Sequence, residues 1–172
     1  MTAPGPPGAM TAAVTMAHGG PEVLAVHTDW PTPRPGPDQA LVAVTAAAVN
    51  NTDIWSREGA YGTRTDPEAV AGWRGAPLDF PLIQGMDIVG KVVGVGLGTD
   101  PALIGRRVLV DPVISYLDGF PTEVVGSEAD GGFAQYHCSA SARLHDVTDS
   151  PLSDAQLACL PTAYGTAMGM IN

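Results

Sequence analysis

Apolar residues occur in short runs along the chain, and each run is bounded by glycine, proline or small polar residues. Short apolar runs between such residues are typical of strands, because glycine and proline interrupt both kinds of regular structure. We expect strands at residues 12–16, 24–27, 39–49, 81–95, 105–113 and 133–139. Many short strands with wide loops and little helix predict a mainly β fold, an antiparallel and partly open barrel with short helices.

Helix signals are few and lie at turns in this pattern. The Asn51-Thr52-Asp53 sequence offers an N-cap after a strand, and Ser153 offers a second one. We expect helices at residues 54–58, 67–71 and 154–160, and from residue 162 onward. The polar segment at residues 114–132 is expected to be irregular.

Three parts of the chain differ in character. Residues 1–11 contain proline and glycine without a basic region or an apolar run, so we expect a disordered leader and no signal peptide. Residues 12–150 contain the expected strands and form the predicted β domain. Residues 151–172 are expected to be a helical connection, and no helix-stop signal precedes Asn172.

Charge and cysteine content narrow the function classes. Eighteen acidic and eight basic residues among 172 give a net charge of −10. Nucleic acids and anionic membranes attract basic patches, so we expect neither as a partner. No run of about 20 apolar residues is present to span a membrane. Two cysteines are too few for a disulfide framework, which favours a reduced, cytoplasmic location.

Two patterns suggest binding sites that the sequence does not otherwise support. Gly94, Gly96 and Gly98 form G-x-G-x-G, but the dinucleotide fingerprint is G-x-G-x-x-G followed by a helix. His137 and Cys138 are adjacent on an expected strand, so their side chains should point to opposite faces. Cys159 alone on a helix is expected in the core. We therefore expect no metal site.

Several segments together resemble the N-terminal part of the medium-chain dehydrogenase/reductase superfamily. They are GGPEVL (19–24), AAAVNNTDIWSREGAYG (46–62), PLIQGMDIVGKVVGVG (81–96), GRRVLV (105–110), GGFAQYHCS (131–139) and LACLPTAYGTAMGM (157–170). The resemblance implies a GroES-like domain that carries half of an active-site cleft. It also implies that residues 151–172 lead towards a Rossmann domain, absent from this chain, that binds NADP or NAD.

Departures from the superfamily indicate a subgroup. Zinc-dependent members carry cysteine where Asn50 stands and His-Glu where Met86-Asp87 stand. The Asn50–Asp53 segment is similar to the Asn-x-x-Asp motif of the zinc-free quinone oxidoreductases. This resemblance implies hydride transfer to a small quinone, enone or carbonyl compound without zinc, and a homodimer when full length. The loop at residues 61–80 is longer than in that subgroup, which leaves the substrate class open.

The resemblance also implies roles for residues that follow the strand at 39–49. Asn50, Asp53 and Tyr61 are the candidate catalytic residues, and Thr166 with Asn50 would contact the cofactor. Asn50 would donate an amide N–H to developing oxyanion charge, and Tyr61 a phenol O–H. Trp55 would form a wall for a flat substrate.

Structural alternatives stand beside these roles. Asp53 could orient the loop or cap the helix, and Trp55 could belong to the core. Asp87 could be a buried acid paired with Arg106 or Arg107. Two other functions are also open, a stand-alone GroES-like binding module without a cofactor domain and a structural barrel that forms oligomers.

Overall fold

The computed structural model describes residues 5–63 and 78–171, and strands dominate these residues. In chain order the strands are β1 Ala9–Thr15, β2 Leu24–Pro31, β3 Gln39–Ala48, β4 Leu82–Ile83, β5 Asp87–Val95, β6 Arg107–Val110, β7 Val113–Leu117, β8 Phe120–Val124, β9 Tyr136–Ala140 and β10 Leu144–Asp146. The mainly β prediction is therefore confirmed.

The strands form three antiparallel sheets, none of which closes on itself within the described residues. The largest has the order β10-β6-β5-β3-β9, a second has the order β2-β1-β4, and β7 pairs with β8. The segment before β9 links the first two sheets, because the Ala13 N–H donates to the Phe133 carbonyl at 2.8 Å. This arrangement is the partly open barrel that the sequence predicts.

The β5 strand has both faces covered, which explains its nearly continuous apolar sequence. Ile88 packs with Val110 and Val125 on one face. The next residue, Val89, points to the opposite face and packs against Leu157 of a C-terminal helix. The sheet therefore forms the core, and the C-terminal helical segment lies directly on it.

Several boundaries differ from expectation, and two of them change which residues belong to the sheets. The first strand begins at Ala9 rather than residue 12, and Met10 within it is buried. The single strand expected at residues 81–95 is instead split into β4 and β5, which belong to different sheets. Gly85 makes this break with a φ of 103°, and a Cβ there would lie 2.6 Å from the Phe133 ring.

The prediction of an irregular segment at residues 114–132 is wrong for its first half, which forms the β7–β8 hairpin. Asp118 and Gly119 connect the strands with φ values of 51° and 85°. A two-residue turn with two positive φ values is a type I′ turn, which Asp-Gly favours. The apolar residues Leu117 and Phe120 on either side of Asp118-Gly119 are part of the same hairpin signal in the sequence.

Helices occupy few of the described residues. They are α1 Asn51–Glu58, α2 Asp154–Ala158 and α3 Gly165–Ile171, with a π-helical turn at Leu160–Tyr164 between the last two. The expected helix at residues 67–71 lies outside the described residues. Cys159, expected in the core, is exposed because it follows the end of α2. None of these helices is long and apolar enough to cross a membrane.

Arg107 of β6 binds the segment that leads into α2 and so holds this segment against the sheet. The Arg107 guanidinium donates to the carbonyls of Ser150 and Leu152, at 3.2 Å and 2.7 Å, and pairs with Asp154. The adjacent Arg106 instead makes one looser pair with Asp146, at 3.5 Å, and its side chain is half exposed.

We expect Arg107→Ala to lower the free energy of unfolding by roughly 1–3 kcal/mol, because two carbonyls and a carboxylate lose a charged donor. Arg106→Ala is the matched control and should change it by about 0–1 kcal/mol, as for an exposed pair. Urea denaturation of the three proteins measures both values. Equal losses in the two variants would contradict the role given to Arg107.

Candidate active site

The polar residues after β3 begin α1. Asn50 is the N-cap, with extended backbone, and its N–H donates to Asp53 Oδ2 at 2.8 Å. A carboxylate at the third helical position that returns to the N-cap N–H is half of a capping box. The cap therefore lies before the expected Asn51-Thr52-Asp53 signal, and α1 begins at residue 51 rather than at the expected residue 54.

Asp53 is buried and joins α1 to the connection between β4 and β5. Its Oδ1 accepts the Gly85 N–H at 3.2 Å, and its main-chain carbonyl accepts Gln84 Nε2 at 2.9 Å. Gln84 in turn accepts the Thr15 hydroxyl of β1 at 2.8 Å. These contacts orient the loop between β3 and α1, which is one of the two roles that the sequence left open for Asp53.

Burial raises the pKa of Asp53 from 3.8 to about 6. The N–H groups of Asn50, Gly85 and Met86 stabilise the carboxylate and oppose this shift, while the charge of Asp87 adds to it. Desolvation therefore outweighs hydrogen bonding at this carboxyl.

Asp87 is fully buried at the start of β5 and accepts three hydrogen bonds. Asn50 Nδ2 donates to its Oδ2 at 3.0 Å, and the Thr162 N–H and hydroxyl donate to its Oδ1 at 2.9 Å and 2.6 Å. The expected pairing with Arg106 or Arg107 is wrong. Arg107 lies opposite Lys91, four residues further along β5, which is about 13 Å away at the rise of a strand.

A cavity of about 460 Å³ opens beside this cluster. Its walls come from Thr52 and Met86, from Thr162 and Thr166 of the C-terminal helical segment, and from the β7–β8 hairpin, chiefly Tyr116 and Pro121. A mostly apolar cavity of this size with a few hydroxyl groups is typical of a small-molecule site.

The residues that the sequence assigns to the site divide into two groups. Thr166 lines the cavity, whereas Asn50, Asp53, Trp55 and Tyr61 do not. Trp55 and Tyr61 form an edge-to-face pair with ring centroids 6.3 Å apart, and Trp55 is 49 % exposed. The alternative that Trp55 belongs to the core is therefore wrong.

Sequence reasoning missed the hairpin wall and the roles of Thr52 and Thr162. Tyr116 lies two residues before the Asp-Gly turn, so recognising that turn would have placed it on a hairpin. No local signal points to Thr162, because its contact with Asp87 spans 75 residues.

Histidine and cysteine do not converge in the described part of the chain. His137 is buried, and this burial lowers its pKa to about 4. Half-burial raises the pKa of the neighbouring Cys138 to about 11. No group of three or more His, Cys, Asp or Glu side chains within residues 5–63 and 78–171 is placed to hold a metal ion.

Comparison with known families identifies this fold. The family model for the alcohol dehydrogenase GroES-like domain matches residues 36–149. The chain therefore belongs to the alcohol dehydrogenase GroES-like domain family. The expected resemblance to the N-terminal domain of the medium-chain dehydrogenase/reductase superfamily is confirmed.

Individual relatives are enzymes of this superfamily. A solved structure from Sinorhizobium meliloti 1021, provisionally named an alcohol dehydrogenase, is 44 % identical with a TM-score of 0.86, over 96 % of this chain and 47 % of that one. A quinone oxidoreductase of Pongo abelii is 28 % identical, over 92 % of this chain and 39 % of its own length. An Arabidopsis thaliana chloroplastic NADPH-dependent alkenal/one oxidoreductase is also 28 % identical, over 94 % and 36 %. The chain spans less than half the length of each.

The raised pKa of Asp53 predicts a pH dependence of stability. Between pH 3.8 and about 6 the folded state binds more protons than the unfolded state, so the free energy of unfolding decreases as pH rises. The shift from 3.8 to about 6 corresponds to a decrease of about 3 kcal/mol. Asp53→Asn should lack this decrease, as measured by urea denaturation from pH 3.5 to 7.

Asp118→Asn is the matched control, because that side chain lies in the exposed hairpin turn and Asn tolerates positive φ. It should follow the pH profile of the unchanged protein. An Asp53→Asn profile parallel to the other two would show that the pKa of this carboxyl is not raised.

Proposed function

We propose that this chain is the substrate-binding part of a zinc-independent NAD(P)H-dependent oxidoreductase. Its reaction would be hydride transfer between the nicotinamide and a quinone, an enone or a carbonyl/alcohol pair. The observation that carries this proposal is the contact of Asn50 with Asp87, at 3.0 Å, beside a cavity lined by Met86. These are the positions where zinc-dependent members have their metal ligands.

The donor set at these positions does not fit a zinc ion. Structural and catalytic zinc sites use thiolate, imidazole and carboxylate groups, whereas Asn50 supplies an amide and Met86 a thioether. The oxygens of Asp87 already accept three hydrogen bonds from Asn50 and Thr162. The hydrogen-bonded cluster takes the place that a metal would need, and no step of the proposed reaction uses one.

The cavity fits one end of a nicotinamide dinucleotide. Its volume of about 460 Å³ and its hydroxyl-bearing helical wall suit a nicotinamide ring and a small flat substrate, and Thr166 would contact the cofactor. The sequence has no G-x-G-x-x-G loop to hold the diphosphate, so the rest of the dinucleotide would bind elsewhere in the whole protein. When bound, the cofactor supplies the hydride. The name of the Arabidopsis relative favours NADPH.

The chain's own residues would bind the substrate and exclude water. Tyr116 and Pro121 form an apolar wall, which suits a quinone or an enone. The Thr162 hydroxyl hydrogen is directed to Asp87, which leaves the Thr52, Tyr116 and Thr166 hydroxyls as side-chain donors at the described cavity wall for a developing oxyanion. We further propose a cytoplasmic protein that acts on small molecules and is a homodimer when full length.

The natural gene product should oxidise NADPH in the presence of a quinone or an enone. The 172-residue chain should show no turnover and should bind NADPH weakly, because it lacks the phosphate-binding loop. Absorbance at the NADPH band and calorimetric titration measure these quantities. The intact mass of the gene product shows whether more chain is present in the cell. Tight NADPH binding by the 172-residue chain would contradict the proposal that most of the dinucleotide binds elsewhere in the whole protein.

Zinc content is a separate test. We expect no stoichiometric zinc in the purified protein, because Asn50 and Met86 are poor ligands. Elemental analysis after purification without chelator measures it, and chelator should leave the activity unchanged. One bound zinc per chain, lost together with activity, would contradict zinc independence.

A further inference from the structure

Asp87 lies between two elements that form separate walls of the cavity. One is the start of α1, where Asn50 precedes the wall residue Thr52. The other is the helical segment with Thr162 and Thr166. The carboxylate of Asp87 binds both, through Asn50 Nδ2 at 3.0 Å and through the Thr162 N–H and hydroxyl at 2.9 Å and 2.6 Å.

The chemistry of a carboxylate fixes the orientation of its partners. An ionised carboxylate only accepts hydrogen bonds, so Asn50 must turn its NH₂ group towards Asp87 and its carbonyl oxygen away. The Thr162 hydroxyl must likewise aim its hydrogen at Asp87. A neutral residue at position 87 would not impose both orientations.

Burial makes these hydrogen bonds strong constraints. Asp87 is 0 % exposed, and water cannot replace a lost donor without opening the cluster. A buried polar group that loses its partner is costly, so the three donors are held in place together. The cavity walls that they carry are held with them.

We propose that Asp87 is the positioning residue of this cavity. It sets the orientation of the Asn50 amide and the placement of the segment that carries Thr166, without contacting substrate itself. The functional part of this inference rests on the proposed oxidoreductase function.

Nuclear magnetic resonance of the 172-residue chain tests the geometry without any enzyme assay. In the unchanged protein one N–H of the Asn50 side chain should exchange slowly with solvent, because it is bonded to a buried carboxylate. In the Asp87→Asn variant, the side-chain oxygen at position 87 still accepts the hydrogen bonds from Thr162, but its NH₂ group faces the NH₂ group of Asn50. The Asn50 amide should then flip, and its exchange should become about tenfold faster or more.

Swapping the two residue types between positions 50 and 87 should restore the hydrogen bond. In the double variant Asn50→Asp with Asp87→Asn, residue 87 keeps an oxygen for Thr162 and donates its NH₂ to a carboxylate at position 50. Slow side-chain N–H exchange should return, now at position 87. Asn51→Asp is the control, because Asn51 is exposed, and it should leave the Asn50 signal unchanged.

Thr162 offers a second test should Asp87→Asn fail to fold. Thr162→Val removes the hydroxyl donor and keeps the backbone N–H, whereas Thr162→Ser keeps both. Protection of the residue 162 amide should fall with Val and return with Ser. Unchanged exchange of the Asn50 side chain in Asp87→Asn, or of the residue 162 amide in Thr162→Val, would overturn the proposal.

The catalytic consequence is measured in the natural gene product. Asp87→Asn should lower kcat for NADPH-dependent reduction about 100-fold with little change in KM, because a displaced wall misaligns reactants that still bind. Equal kcat in the Asp87→Asn variant and the unchanged gene product would overturn the inference that Asp87 positions the walls for catalysis. If the unchanged gene product transfers no hydride, the proposed function fails, while the exchange measurements still decide whether Asp87 positions the cavity walls.

Discussion

A continuous series of hydrogen bonds between buried and half-buried polar groups holds the end of the barrel together. It runs from the Thr15 hydroxyl through Gln84 to the main chain of Asp53, and from the Asp53 carboxylate to Asn50. From the Asn50 side chain it continues to Asp87 and then to Thr162. In this way β1, β4, β5, α1 and the C-terminal helical segment are joined at one place, although they are distant in sequence.

Such a series is costly unless every member is satisfied, because buried polar groups without partners destabilise a fold. Here two buried carboxylates lie close to each other, and the structure treats them differently. Asp87 accepts three hydrogen bonds from Asn50 and Thr162. Asp53 accepts the N–H groups of Asn50 and Gly85, and its desolvation still raises its pKa to about 6. Backbone N–H groups, an amide and a hydroxyl thus stabilise the two buried acids, and no arginine within the described residues 5–63 and 78–171 donates to either one.

Local sequence signals predicted those strands and helices that begin or end at a capping residue. The strand β3 was expected at residues 39–49 and ends at Ala48, because an apolar run stops at polar cap residues. The Ser153 cap was also identifiable, since a hydroxyl three residues before Gln156 is a capping box. The β7–β8 hairpin is not among the expected strands, although Asp118-Gly119 is a strong turn signal between the apolar residues Leu117 and Phe120.

The site could be predicted only in part, because its walls come from segments that no sequence spacing brings together. Tyr116 and Thr162 reach the cavity through tertiary packing, and the partner of Asp87 is 75 residues away. The interpretation of the polar residues after β3 as groups that contact substrate relied on the family resemblance and on their position at a strand end. The structure gives a different reason for their presence, because Asn50 and Asp53 satisfy each other, Asp87 and Gly85.

Because Asn50 and Asp53 bind other protein groups, the chemistry of the site depends on the remaining polar groups at the cavity. A metal ion would fix its ligands and polarise a carbonyl in zinc-dependent relatives, whereas the proposed role of the hydrogen-bonded cluster around Asp87 is to fix the cavity walls, beside which hydroxyl groups lie. A metal supplies both positive charge and geometry, whereas a buried carboxylate with three donors supplies geometry but no positive charge. Under the proposed function, the electrophilic assistance would come from neutral donors, which would favour acceptors that are already reactive towards hydride, such as quinones and enones, over unactivated carbonyl compounds.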